Sequence, residues 1–146
     1  MTRLGRILGL AGFLMVGCGT PPAKDSYPCS GPVTLAAVQS TVFDHCFVPG
    51  AATGCHAQMP FGANLDLTAG HSAANLLHVL SQSDPSRFLV EPKDPDNSFL
   101  WQKVTGDINT GPVQQGLPMP RDANDAWAPL THDQLTSVRC WILSGN

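Results

Sequence analysis

Apolar residues recur at helical spacing in four stretches of this chain, and nowhere do they alternate with polar ones over the length of a strand. In the first stretch Pro32 stands where a helix favours proline, and Leu35, Val38 and Val42 form one stripe, which predicts a helix running to His45 or Cys46. In the second, Ser72 is placed to cap a helix carrying Ala73, Leu76, Leu77 and Leu80, ending before Asp84-Pro85. Asp94-Pro95 opens the third, with Phe99, Leu100 and Val104 on its inner face and Gly106 at its end. The fourth is the best specified. Thr131 and Gln134 match a capping box, Leu130 and Leu135 a hydrophobic staple, and Leu135, Val138, Trp141 and Ile142 an inner face up to Gly145. The pattern predicts an all-α fold of about four helices, without internal repeats.

The segments between are too rich in proline and glycine for regular structure. Phe47 to Thr68 contains Pro49, Gly50, Gly54, Pro60 and Gly62, and a second loop runs from Gly106 to Pro129. At the N-terminus, Arg3 and Arg6 precede an apolar run, Ile7 to Val16, that is too short to span a bilayer. Met15-Val16-Gly17-Cys18 follows and resembles a bacterial lipobox, which implies a lipoprotein signal peptide over residues 1–17 and lipidation of Cys18. Residues 18–28, with Pro21, Pro22 and Pro28, read as a flexible tether to a domain over residues 29–146. The expected location is the cell envelope, lipid-anchored to a bilayer, periplasm-facing or on the outer membrane, since no aspartate follows Cys18.

Charge and cysteine content narrow the function. Losing Arg3 and Arg6 with the signal takes the formal charge of −3 down by two more units, and no Lys/Arg cluster exists to neutralise phosphates, so nucleic acid is excluded as a partner. An exported domain can keep disulfides, and Cys29, Cys46, Cys55 and Cys140 remain after lipidation. No G-x-S-x-G element supports hydrolase chemistry.

Two short motifs carry the candidate chemistry. Cys55-His56 pairs a thiol able to form a thioether to a haem vinyl group with an imidazole able to ligate the iron, and Met119, between Pro118 and Pro120, offers a thioether sulfur on a stiffened loop. Met59 is too close to His56 to reach the opposite face of the same macrocycle. The preceding cysteine is Cys46, so the attachment motif is C-x8-C-H in place of the usual C-x-x-C-H. His45, His71, His78 and His132 read as solvated or capping residues, with His78 the alternative axial ligand. Trp101, Trp127 and Trp141 read most simply as core aromatics, and either a tryptophan or Arg121 near the methionine loop as a hydrogen-bond donor to a haem propionate.

Taken in order, the helix leading to Cys55-His56, the Leu65-Asp66-Leu67 segment, two middle helices, Gly116-Leu117-Pro118-Met119-Pro120 and the closing Trp141-Ile142-Leu143-Ser144-Gly145 resemble a class I cytochrome c domain over residues 29–146. Val90 to Ser98 is similar to segments of cytochrome c-like bacterial lipoproteins. The resemblance implies first and last helices packed together around a haem crevice, and one covalently attached haem c on Cys46 and Cys55. It also implies iron ligation by His56 and Met119, a Cys29–Cys140 disulfide, and electron transfer, not catalysis, to a redox partner protein in the envelope. Three arrangements of the cysteines stay open: two thioethers, a Cys55 thioether alone, or a Cys46–Cys55 disulfide in a haem-free, disulfide-stapled binding or accessory module. Zinc on Cys46, Cys55, His56 and Cys140 is a fourth, at a spacing unlike usual zinc sites.

Overall fold

A computed structural model describes residues 26–45, 56, 64–107, 116–121 and 126–145. Its elements are helical, and the described residues contain no strand, only isolated bridges. Residues 1–17, expected to be a signal segment, and Cys18, Cys46, Cys55 and Met59 lie outside the described residues.

Helix α1, Leu35–Thr41, begins later than Pro32 because Thr34 supplies the cap, its side chain accepting from the Ala37 N–H. A short 3₁₀ turn, Phe43–His45, follows. Helix α2 is only Ser72–Leu76, and the expected continuation through Leu80 does not form. His78 takes φ +55 and the chain turns out of the helix to bond with residues 87–90. There Val90 N–H donates to Leu76 O, His78 N–H to Val90 O, Leu89 N–H to Val79 O and Ser81 N–H to Arg87 O. Four tertiary backbone bonds thus replace the helical ones that leucine spacing alone suggested. Ser72 does not cap α2 either: His71 precedes the helix without a side-chain cap, and the buried Ser72 hydroxyl donates to Gln39 Oε1 at 2.8 Å.

Asp94 caps Pro95–Asn97 as foreseen, accepting from Asn97 N–H, but that turn is 3₁₀, and after Ser98 the chain restarts as α3, Phe99–Thr105. Gly106 closes α3 at φ +77, a left-handed conformation glycine adopts without a side-chain clash. A Cβ there would also meet the Trp127 ring, 2.8 Å from Cη2. The capping box of Thr131 and Gln134 is formed, and α4 runs His132–Ser144 to Gly145.

Helices α1 and α4 pack against each other. Val38, Val42, Val138, Trp141 and Ile142 are almost fully buried, and Phe43 meets Trp141 edge-on at 6.2 Å. Gln134 Nε2 donates to Thr41 O at 2.9 Å, and Cys29 and Cys140 form a disulfide with Cα atoms 5.5 Å apart, fastening the start of the domain to α4. Tyr27 extends this core, edge-on to Trp101 at 5.3 Å. Leu76 and Val90 bring the middle of the chain to the same cluster, and Lys93 N–H donates to Ile142 O at 2.7 Å. Trp127 departs from the expected core role. It is 43% exposed and covers Gly106 from outside.

Candidate functional site

The polar exception on the buried stripe of α1 organises one side of a cavity. Gln39 lies four residues after Leu35 and is 7% exposed, so each polar atom of its amide needs a partner. Nε2 donates to Asp44 Oδ1 at 2.6 Å and to Leu67 O at 2.9 Å, while Oε1 accepts from Ser72. The amide therefore joins α1, the Leu65-Asp66-Leu67 segment and α2.

That segment in turn holds His56. Leu67 N–H donates to His56 O at 2.8 Å, and the His56 ring places Nδ1 3.0 Å from Leu65 O. A carbonyl can only accept, so Nδ1 carries a proton, and in its neutral form the imidazole has its lone pair on Nε2. A backbone carbonyl fixing the tautomer in this way is the usual arrangement behind a metal-ligating histidine. Asp66 stabilises the turn beneath. Its carboxylate accepts from the Thr68 hydroxyl at 2.6 Å and the Thr68 N–H at 2.8 Å, and the Thr68 side chain, with its backbone next, holds the Asp66 pKa below the ordinary 3.8.

The other side of the cavity is built on α3. Met119 N–H donates to Lys103 O at 2.9 Å, and Lys103 Nζ donates to Leu117 O at 2.6 Å. On the outer side Ala128 N–H donates to Pro120 O at 3.0 Å, and Trp127 Nε1–H reaches Met119 O at 3.4 Å, a long and therefore weak bond. Burial, reinforced by the Arg121 guanidinium, holds the Lys103 ammonium below the usual lysine range.

Between the two sides lies a cavity of about 340 Å³, within the roughly 300–1,000 Å³ typical of small-molecule sites. His56 and Met119 both line it. Most of its wall is apolar, including Val42, Phe43, Leu65, Leu76, Phe99 and Leu100, and Lys103 and Arg121 are its cationic members. The two residues singled out as iron ligands thus share one apolar chamber, a thioether and an imidazole with its Nε2 lone pair, which is a donor set suited to haem iron.

The remaining candidates fall elsewhere. His78 is exposed, lies edge-on to Phe88 at 5.8 Å and is not part of the cavity wall. His71 and His132 are exposed, with His132 stacked on Tyr27. Cys140 is committed to Cys29, so the four-ligand zinc set cannot assemble. Among the described residues no group of three or more His, Cys, Asp or Glu side chains is arranged to hold a metal, and no helix is long and apolar enough to cross a membrane.

Gln39 and Lys103 were not singled out by motif. A glutamine on an apolar helical stripe was the available signal for the first. For the second, a lysine four residues after Phe99 gives no hint of the loop it holds. Comparison of the chain with family models, with curated proteins and with solved structures found no match.

Proposed function

We propose that this chain is a lipid-anchored c-type cytochrome that carries single electrons in the cell envelope. His56 and Met119 would hold the iron, Cys46 and Cys55 would attach the haem covalently, and Cys18 would carry the lipid. The observation that carries the reading is the meeting of His56 and Met119, distant in sequence, on the wall of one apolar cavity. The bound haem would supply a reversible one-electron couple at its iron.

The chain's own residues account for the rest. Leu65 O orients the imidazole and keeps Nε2 as the basic nitrogen. The apolar wall would limit water at a bound haem, and ligation by methionine in place of a second histidine would favour a higher reduction potential and electron transfer over catalysis. The chain is therefore a carrier, and its partner a redox protein of the envelope. Arg121, on the cavity wall directly after Pro120, is placed among the cations suited to an acidic haem substituent.

Protein produced with haem-attachment machinery is expected to be red, to keep its haem in denaturing gels and to show a six-coordinate c-type spectrum. Met119→Ala is expected to abolish methionine ligation and lower the potential while the covalent link stays intact. Colourless protein without free thiols, under conditions that mature a control cytochrome, would sink this reading. It would leave the haem-free, disulfide-stapled binding or accessory module in its place.

A further inference from the structure

We propose that Lys103 is the positioning residue of the Met119 thioether, holding the Gly116–Pro120 loop against α3 through both its backbone carbonyl and its ammonium. The inference rests on the reading of Met119 as an axial ligand and adds to it the group that sets where that ligand stands.

Contacts converge on this one residue from both of its polar ends. The Lys103 carbonyl belongs to the last turn of α3, where a helix leaves its carbonyls without intrahelical donors, and the Met119 N–H fills that position at 2.9 Å. The Lys103 ammonium then bends to the same loop and donates to Leu117 O at 2.6 Å, a charge-assisted bond two residues before the methionine. Gly116, at φ +77, completes the approach: a Cβ there would lie 3.3 Å from Nζ. The ammonium also stands 5.5 Å from the centre of the Phe99 ring, a buried part of the cavity wall. A lysine wedged between the wall and the loop fixes the distance between them.

A purely electrostatic role would differ in its consequences. Charge near an iron centre shifts its potential wherever the thioether stands, whereas a positioning role controls methionine ligation and the protection of the Met119 amide. Lys103→Met removes the ammonium and keeps the aliphatic stem, and Lys103→Arg restores a long cationic donor. In haem-free protein, Lys103→Met is expected to speed hydrogen exchange at the Met119 amide about tenfold, the scale of losing a hydrogen bond to a charged group. Exchange at Val138, in the α1–α4 core, is expected to stay as it was. In haem-loaded protein the methionine-to-ferric-iron charge-transfer band weakens and the potential falls, and Lys103→Arg restores the band and the protection.

A Lys103→Met protein with unchanged Met119 exchange and an intact band overturns the inference, as does a potential that moves while the band stays. If Met119→Ala leaves the spectrum unaltered, the ligand assignment fails and the inference falls with it. If Met119→Ala bleaches the band and Lys103→Met does not, the inference fails alone. Should Lys103→Met unfold, shown by loss of Val138 protection, Gly116→Ala addresses the same contact from the loop side. It is expected to weaken the band, and an intact band there overturns the proposal.

Discussion

The two residues on the cavity wall are held by opposite means. His56 is tied to the interior: its carbonyl and ring bond to Leu67 and Leu65, Leu67 bonds to Gln39, and the nearly buried Gln39 is locked between Asp44 and Ser72. Met119 is tied to the rim, through a half-exposed lysine at the end of the seven-residue α3 and through a tryptophan that is 43% exposed. Buried polar bonds are costly to open because water cannot replace the lost partner, whereas rim bonds exchange with solvent at small cost. The histidine flank therefore belongs to the scaffold, and the methionine flank is the part that can move.

The largest effect is expected from removing what both flanks share. The Cys29–Cys140 bridge closes a sequence separation of 111 residues, and replacing both cysteines with serine should cost about 2–5 kcal/mol by the usual scale for native disulfides in small secreted domains. Denaturant melting under oxidising conditions reads this directly. Protection of the Leu67 and Met119 amides should fall together, since the bridge anchors α4 and not either flank. A loss confined to one amide would break the division into a common scaffold and two separately held flanks.

Gln39→Leu tests the histidine flank. It fills similar volume but leaves the buried Ser72 hydroxyl and the partly buried Leu67 O without their partner, a loss of about 1–3 kcal/mol on the scale of an unsatisfied buried group. The Leu67 amide, which bonds to His56 O, should exchange faster, and the Met119 amide should not. Equal acceleration of both would mean that the flanks are coupled through the cavity.

How much of this was legible beforehand follows the same division. Helix α4 was specified by local chemistry, since Thr131 and Gln134 satisfy one another and the apolar stripe repeats on a single face. Helix α2 was overestimated because Leu77 and Leu80 have helical spacing, yet His78 adopts a positive φ and the backbone of residues 87–90 competes for the same carbonyls. Such tertiary competition leaves no mark in a local pattern. His56 and Met119 were identified from residue type and order, and their common cavity depends on folding that no spacing encodes. Lys103 was silent because its partners are backbone carbonyl and amide groups, which every residue carries. Trp127 was taken for a core residue on its type alone, but a glycine at 106 lets its ring lie on the surface of the turn.

The smallest effect concerns pH. Asp66 lies between Leu65 and Leu67, and its carboxylate accepts both Thr68 donors, which lowers its pKa in the folded protein from 3.8. A depressed carboxylate contributes stability that is complete above the unfolded value and disappears as pH falls through the lower, folded value. The acid limb of the stability curve therefore lies below the ordinary carboxylate range. Thr68→Val removes the hydroxyl donor and keeps the N–H, so the folded pKa should move part of the way back up. Stability at neutral pH should drop slightly, and its acid dependence should shrink. Protection of the Leu67 amide, measured from neutral pH down to about pH 3, below the reference aspartate value, should decline more steeply in the wild type than in Thr68→Val. Met119 protection should follow one curve in both proteins. A Met119 amide that tracked the Thr68 substitution would show that protonation beneath His56 reaches the methionine rim, and the two flanks would then have to be treated as one element.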